Sequence, residues 1–258
     1  MKPQPISLLL PTYNCADIVR RTLESIKWAD EILVVDSYST DTTLDICREY
    51  GATVIQHEYI NSARQKNWAI SQCRHEWVLQ IDTDETLEEG VQQEIQAAIA
   101  TASADVQAFR LPRKNHVLGQ WFQYAGIYPD YQTRLLRRDK GRWIEREVHA
   151  HVEVPGQIGT LHGHILHDGM PNLSKQIRNL DRYTRYEADE AYKQGERFNW
   201  TQLILKPGFI FVYRYFWQQG FRAGWRGLIL SAYLAFYEFM TYAKLWEMQE
   251  LNLTKSPK

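Results

Sequence analysis

The pattern of this chain predicts an α/β architecture, a mainly parallel sheet flanked by helices, followed by a helical, aromatic-rich C-terminal extension. Three observations carry that expectation. Short apolar runs alternate with helix-periodic segments over residues 6–100, polar residues gather where the apolar runs stop, and between residues 197 and 237 acids are absent while aromatics and arginines accumulate.

Taken in order, ISLLL (6–10) reads as a first strand, ended at Pro11 and followed by Ile18, Val19, Thr22, Leu23 and Ile26 at helical spacing. EILVVD (31–36) is a second strand. The polar stretch Ser37 to Asp41 can cap the next helix, through Leu44 and Cys47, and Gly51 stands where a C-terminal glycine is expected. ATVIQH (52–57) is the third strand, Ser62 to Cys73 a helix, and EWVLQID (76–82) the fourth strand. A further helix carries Val91, Ile95 and Ile99 on one face. Four strands alternating with helices imply a parallel sheet covered on both faces, with ligands at the carboxyl ends of its strands. Pro11 to Asn14, Asp36 to Ser39 and Asp82 to Glu85 then share one crevice.

At 258 residues the chain can hold one large domain or a core domain with an appendage, and a net charge of −1 offers no global field for nucleic acid. The three cysteines, Cys15, Cys47 and Cys73, lack a CxxC pair and read as reduced thiols filling helix faces. The opening MKPQPISLLLPTYN has too short an apolar run for a secretory signal, so the expected setting is cytoplasmic. Asn172, Asn199 and Asn252 head N-x-S/T patterns that are then taken as chance.

The segment IDTDET (81–86) places Asp82, Asp84 and Glu85 within four positions, where like charges repel unless a positive partner is shared. The chain has neither a G-x-G-x-x-G turn nor a P-loop, so a glycine-cradled phosphate is not expected. A divalent cation, Mg²⁺ or Mn²⁺, can join carboxylates to a diphosphate. Asp82 and Asp84, two apart in extended chain, would project to one side. D-x-D alone is weak, because acidic pairs also favour helix starts.

LLLPTYN, VVDSYSTDTT, NSARQKNWAI and WVLQIDTDE, in this order, resemble the family-2 glycosyltransferases, inverting enzymes of the GT-A nucleotide-diphospho-sugar-binding fold. The resemblance implies that Pro11 and Tyr13 flank a nucleobase, Asp36 accepts from a uracil ring and Arg64 approaches the nucleotide. It also implies that Asp84 holds the metal directly while Asp82 reaches the ribose or the metal. YPDYQTRLLRR (128–138) and EREVHAHVEV (145–154) are similar to bacterial lipopolysaccharide core enzymes, except that Ala150 stands where an acid is expected.

An inverting transfer needs a base at the acceptor hydroxyl. Asp130 is the first choice and Glu147 the second. His149 and His151 alternate on an expected strand. In LHGHILHDG, His167 is the histidine expected to complete a metal shell, while His162 and His164 read as fold residues.

Residues 1–170 form the expected catalytic domain, 1–110 for the nucleotide-sugar and 111–170 for the acceptor, with 171–258 the helical region. Between 197 and 237 there are thirteen aromatics, the cations Arg197, Lys206, Arg214, Arg222 and Arg226, and no acid, which suits the surface of an anionic bilayer. As one helix, 214–226 would bring Arg214, Arg222 and Arg226 together. GLILSAYLAFYEFM (227–240) is too short to span. Gly220 and Gly224 form a GxxxG pattern, and the basic region could instead pack on a second subunit.

The expected activity is transfer of a hexose, glucose in particular, from a UDP-sugar to a lipid-linked saccharide such as lipopolysaccharide core, at the cytoplasmic face of the inner membrane. Transfer to a polyprenyl phosphate and a non-catalytic nucleotide-sugar-binding scaffold are the alternatives.

Overall fold

The computed structural model describes residues 4–145 and 151–251, which form two compact units. The first comprises residues up to 114 together with 129–168, and the second comprises 115–128 together with the chain from 169 onward.

The chain begins with β1 (Ile6–Thr12), α1 (Val19–Ile26), β2 (Glu31–Asp36), α2 (Thr43–Glu49), β3 (Thr53–Gln56), α3 (Ser62–Ile70) and β4 (Trp77–Gln80). These four strands run parallel, as expected, and lie in the order β3-β2-β1-β4. Every residue of β2 is buried, because helices cover both faces of the sheet. Alternate residues of β1 therefore enter different cores. Leu8 and Leu10 pack with Val19, Leu23 and Ile26 of α1, and Leu9 packs with Ala63, Ala69 and Ile70 of α3. Asn61 caps α3 by accepting from the Arg64 amide at 2.9 Å. Gly51 takes a φ of +72° just after α2, a conformation that glycine adopts without a Cβ clash.

Then follow β5 (Glu85–Leu87), α4 (Val91–Thr101), β6 (Val106–Val117), β7 (Gln120–Trp121), β8 (Asp130–Arg137), β9 (Arg142–Trp143), β10 (Val152–Glu153), β11 (Gln157–Thr160) and β12 (Ile165–Met170). The large sheet continues from β4 as β8-β6-β12-β5, with β8 antiparallel to β4 and β6 and β12 antiparallel to β5. The sheet is thus mixed, its parallel half joined to an antiparallel half that the first hundred residues gave no sign of. The backbone amide of His162 donates to Glu94 at 2.7 Å, and the His164 ring lies 2.8 Å from Glu88.

The second unit contains α5 (Leu173–Lys193), α6 (Trp200–Val212), a π-helical turn (Tyr213–Trp217), a 3₁₀ turn (Gly220–Ala223) and α7 (Gly224–Glu250). Asn172 and Asn199, the heads of two N-x-S/T patterns, are the N-caps of α5 and α6, accepting from the amides of Lys175 and Thr201. The single helix considered for 214–226 is interrupted by these turns, with Gln219 in the left-handed region at φ +57°. Gly224 borders open space, so the GxxxG spacing is not the packed pair. Gly227 is: a Cβ there would fall 1.8 Å from the Gly220 carbonyl oxygen. No helix among the described residues is long and apolar enough to cross a membrane.

The three cysteines are free and buried, and burial pushes the thiols of Cys47 and Cys73 up to about 12. They pack rather than react.

Gly227→Ala is expected to destabilise the protein by about 1–3 kcal/mol, because the backbone of Gly220 must move. A thermal melt should show the midpoint fall by several degrees, and Gly227→Ala melting with the wild type would remove this account of the contact.

Candidate active site

The ends of β1 and β2 meet through a buried carboxylate. Thr12 lies beside Asp36 in the parallel register, and its hydroxyl donates to Asp36 Oδ1 at 2.9 Å. The Ser39 amide donates to Oδ2 at 2.7 Å, the Ser39 hydroxyl donates to Oδ1, and Gln56 donates to Oδ2 at 3.4 Å. Asp36 is fully buried, so its carboxylate organises the turn beneath the surface. This clamp holds two residues with positive φ, Asn14 (42°) and Tyr38 (61°), which such a turn must fix by bonds from outside. Asn14 responds in kind: its amide donates to Ser39 Oγ at 2.9 Å, and its Oδ1 accepts from the Thr40 amide at 2.8 Å. Pro11 is half-buried, while Tyr13 and Tyr38 leave their rings uncovered above the clamp.

The acidic segment after β4 is a turn, not extended chain. The Glu85 amide donates to the Asp82 carbonyl at 3.0 Å, so the alternation that would put Asp82 and Asp84 on one side does not apply. The two carboxylates go to different partners. Asp82 meets Lys66 Nζ at 3.0 Å, Arg134 Nη2 at 2.9 Å and the Gln80 amide nitrogen at 2.8 Å. Glu85 is wholly enclosed and binds Arg134 at 2.7 Å and Arg113 at 3.0 Å, its other oxygen accepting from the Asp82 amide at 3.1 Å. The positive charge shared by Asp82 and Glu85 is therefore supplied by side chains.

Burial works against the Asp82 charge, but Lys66 first and Arg134 second outweigh it and hold the carboxyl far below the usual range. Burial likewise works against Arg134, yet Glu85 and Asp82 raise its pKa. For Lys66 burial prevails, and its pKa is lowered despite Asp82.

Asp130 opens β8 opposite Arg113 of β6. Its Oδ2 receives Arg113 at 2.8 Å and its Oδ1 receives the Gln132 amide at 2.6 Å. Arg113 thus ties Asp130 to Glu85. Arg64, on the first turn of α3, points its guanidinium at Glu145, 2.6 Å away. Glu147, His149 and Ala150 lie outside the described residues.

Asp84 has a different neighbour. Pairing of β12 with β5 sets His167 opposite Glu85, and His167 Nε2 comes to 3.7 Å from Asp84 Oδ2. The Asp168 amide donates to the Asp84 carbonyl at 3.1 Å, and Arg21 of α1 binds the Asp168 carboxylate at 2.5 Å. Thr22 of α1 donates to the Thr83 carbonyl at 2.7 Å, so α1 fixes the turn from the other side.

Among the described residues no three His, Cys, Asp or Glu side chains are grouped to hold a metal ion. Asp84 and His167 make a pair of donors. A hard divalent ion that takes one or two protein ligands, and its remaining oxygens from phosphate and water, fits such a pair. The oxygens of Asp82 already face Lys66 and Arg134.

Residues 7–163 match the profile of the family described as Glycosyl transferase family 2, more than half of the chain. The chain belongs to this family. This family-2 glycosyltransferase is 28% identical over 255 residues to the lipopolysaccharide core biosynthesis glycosyltransferase LpsC of Rhizobium meliloti (strain 1021), covering 96% of this chain and 94% of that one. It is 27% identical to the uncharacterized glycosyltransferase RT0209 of Rickettsia typhi (strain ATCC VR-144 / Wilmington), over 94% and 87% of the two chains. Among solved structures, S. aureus TarS 1-349 aligns at a TM-score of 0.49 with 16% identity, over 96% and 92% of the chains.

Sequence reasoning passed over Lys66, Arg113 and Arg134 in this transferase. A signal for Arg134 was present: Asp130, Gln132 and Arg134 alternate along β8. Lys66 carries no such mark, since only the packing of α3 brings it to Asp82.

Arg134→Met should cost about 3 kcal/mol or more, because it strips one cation from the buried Glu85. Arg64→Ala, at an exposed pair, should cost under about 1 kcal/mol. Urea midpoints of equal size for the two would show that the buried arginine is not a structural centre. The low pKa of Asp82 makes its contribution to stability present above the ordinary aspartate value near 4, and lost as pH falls through the folded value. Asp82→Asn should thus flatten the acid limb of a stability profile while leaving the alkaline limb alone.

Proposed function

We propose that this family-2 glycosyltransferase moves a hexosyl group, with glucose as the first candidate, from a UDP-sugar to a hydroxyl of a lipid-linked saccharide such as lipopolysaccharide core. The transfer inverts the anomeric centre and takes place at the cytoplasmic face of the inner membrane. The observation that carries the donor half of this reading is the Asp84 and His167 pair, 3.7 Å apart at the ends of the strands. The acceptor half draws on the extent of the likeness to LpsC, which runs through 96% of this chain.

In this reading Tyr13 lies against the nucleobase beside Pro11, and Asp36 keeps the turn beneath them in shape. Arg64 leaves Glu145 to meet the nucleotide. Asp84 and His167 would hold Mg²⁺ or Mn²⁺, whose chemistry there would be charge neutralisation of the diphosphate leaving group. Lys66 and Arg134 fix Asp82 toward the ribose and keep the acidic turn from flying apart when donor is absent. Asp130 takes the proton from the acceptor hydroxyl, and Glu147 is the second candidate for that task.

A phosphate acceptor is the second reading, and one observation favours it. Both oxygens of Asp130 already accept hydrogen bonds, from Arg113 and Gln132, and an ionised polyprenyl phosphate would need no base.

Calorimetry with UDP should show binding that strengthens when Mn²⁺ is present, and Asp84→Asn or His167→Ala should abolish that gain by about tenfold or more. A non-catalytic scaffold would show no metal-dependent binding at all. In a screen of radiolabelled UDP-sugars, Asp130→Asn should reduce transfer to truncated lipopolysaccharide core by about 10²-fold or more if Asp130 is the base. Turnover on polyprenyl phosphate that survives both Asp130→Asn and Glu147→Gln would replace the saccharide acceptor with the phosphate one.

A further inference from the structure

Helix α6 leaves most of its large apolar side chains uncovered, unlike a helix of a protein exposed only to water. None of its residues is buried. Trp200, Ile204, Leu205, Phe209 and Val212 are each more than half exposed. At about 100° per residue these five positions sweep about half of the helix circumference. The opposite side is the one that packs. Leu203 rests against the cluster of Tyr242, Leu245 and Met248, and Lys206 binds Glu238 at 2.9 Å and the Tyr242 hydroxyl at 3.0 Å. The helix therefore spends its lysine inward, on α7, and turns Trp200, Ile204, Leu205, Phe209 and Val212 outward.

The same character continues past α6. Trp217 at 78% and Trp225 at 79% are the most exposed of the large apolar side chains, and Phe216 is uncovered as well. Arg222 and Arg226 are exposed between and beside them, and from Arg197 to Tyr237 no carboxylate is present to offset the arginines. A concentration of exposed apolar side chains of this kind marks a binding face. Its composition selects the partner. Tryptophan rings and arginines edging an aliphatic stripe match the headgroup boundary of an anionic bilayer, where the rings sit at the interface and the guanidinium groups meet phosphate. At 13 residues α6 is about 20 Å long, short of the roughly 30 Å hydrocarbon core, so it suits an orientation in the membrane plane.

We propose that α6 and the two turns after it form an in-plane docking surface for an anionic lipid bilayer, with Ile204, Leu205 and Phe209 entering the acyl boundary and Arg222 and Arg226 at the headgroups. This deepens the lipid-linked-acceptor reading, on which it rests for the presence of a membrane, and it names the face that the bilayer occupies.

The test uses the full chain and sedimentation with vesicles of phosphatidylcholine alone or mixed with phosphatidylglycerol. The wild type is expected to pellet with the anionic vesicles and to be released by salt. Ile204→Ser, Leu205→Ser and Phe209→Ser combined should weaken that binding by about tenfold or more, and Arg222→Gln with Arg226→Gln should remove the preference for phosphatidylglycerol. Quenching of wild-type tryptophan fluorescence by brominated lipid supplies the same answer without any variant. Failure of the wild type to bind vesicles, or equal binding by the triple-serine protein, overturns the proposal. So does a concentration-dependent dimer that the serines abolish without any vesicle binding. UDP calorimetry on the same samples reads the donor site independently, so loss of lipid binding with UDP binding intact would sink this surface and leave the transferase reading standing.

Discussion

Everything at the end of β4 depends on one buried constraint, the guanidinium of Arg134 held between Asp82 and Glu85. Three carboxylates within four residues cannot be brought together at the end of a buried strand without cations, because removing charge from water costs more than any local packing returns. Arg134 arrives from β8 and Arg113 from β6, each through antiparallel pairing, and Lys66 arrives from α3. The antiparallel half of the sheet is thus more than an extension of the parallel half. It delivers the charges that allow the acidic turn to exist.

That neutralisation divides labour among the acids. Asp82 and Glu85 are spent on holding the turn, which leaves Asp84 as the carboxylate that faces His167. The turn between Asp82 and Glu85 enforces this division, since it aims successive acids in different directions. Asp36 does comparable service at the neighbouring strand ends, where four donors fix its buried carboxylate and so hold the turn at Ser39 against the end of β1. Membership of the glycosyl transferase family 2 fits this economy: rigid protein charges set the frame, and few groups remain to meet a ligand.

The second unit obeys a different rule. Its α7 packs closely where Gly220 and Gly227 let two backbone segments approach, while α6 keeps its largest apolar side chains in the open. Burial of such side chains would normally drive association, at roughly 25 cal/mol per Å² of apolar surface removed from water. Their exposure in a stretch, Arg197 to Tyr237, that carries arginines and no carboxylate of its own is the physical ground for reading the face as a lipid contact.

The parallel half of the fold was written in the sequence, because β2 and its neighbours are continuous apolar runs between amphipathic helices, and burial on both faces leaves no other solution. The clustering of Asp36 and the acidic segment at strand ends followed from the same rule. Residues that act through a distant pairing were not legible. Lys66 shows its role only once α3 packs its side chain against Asp82, and although His167 was singled out in the sequence, its place opposite Glu85 and beside Asp84 comes only from the register of β12 on β5. The sequence determined which segments become strands and helices, since local period and burial decide that. Tertiary structure alone decided which charges meet, because helix packing, strand register and a single turn set distances of a few ångströms between residues as far apart in the chain as Lys66 and Asp82, Arg134 and Asp82 or His167 and Asp84, and no local pattern encodes them.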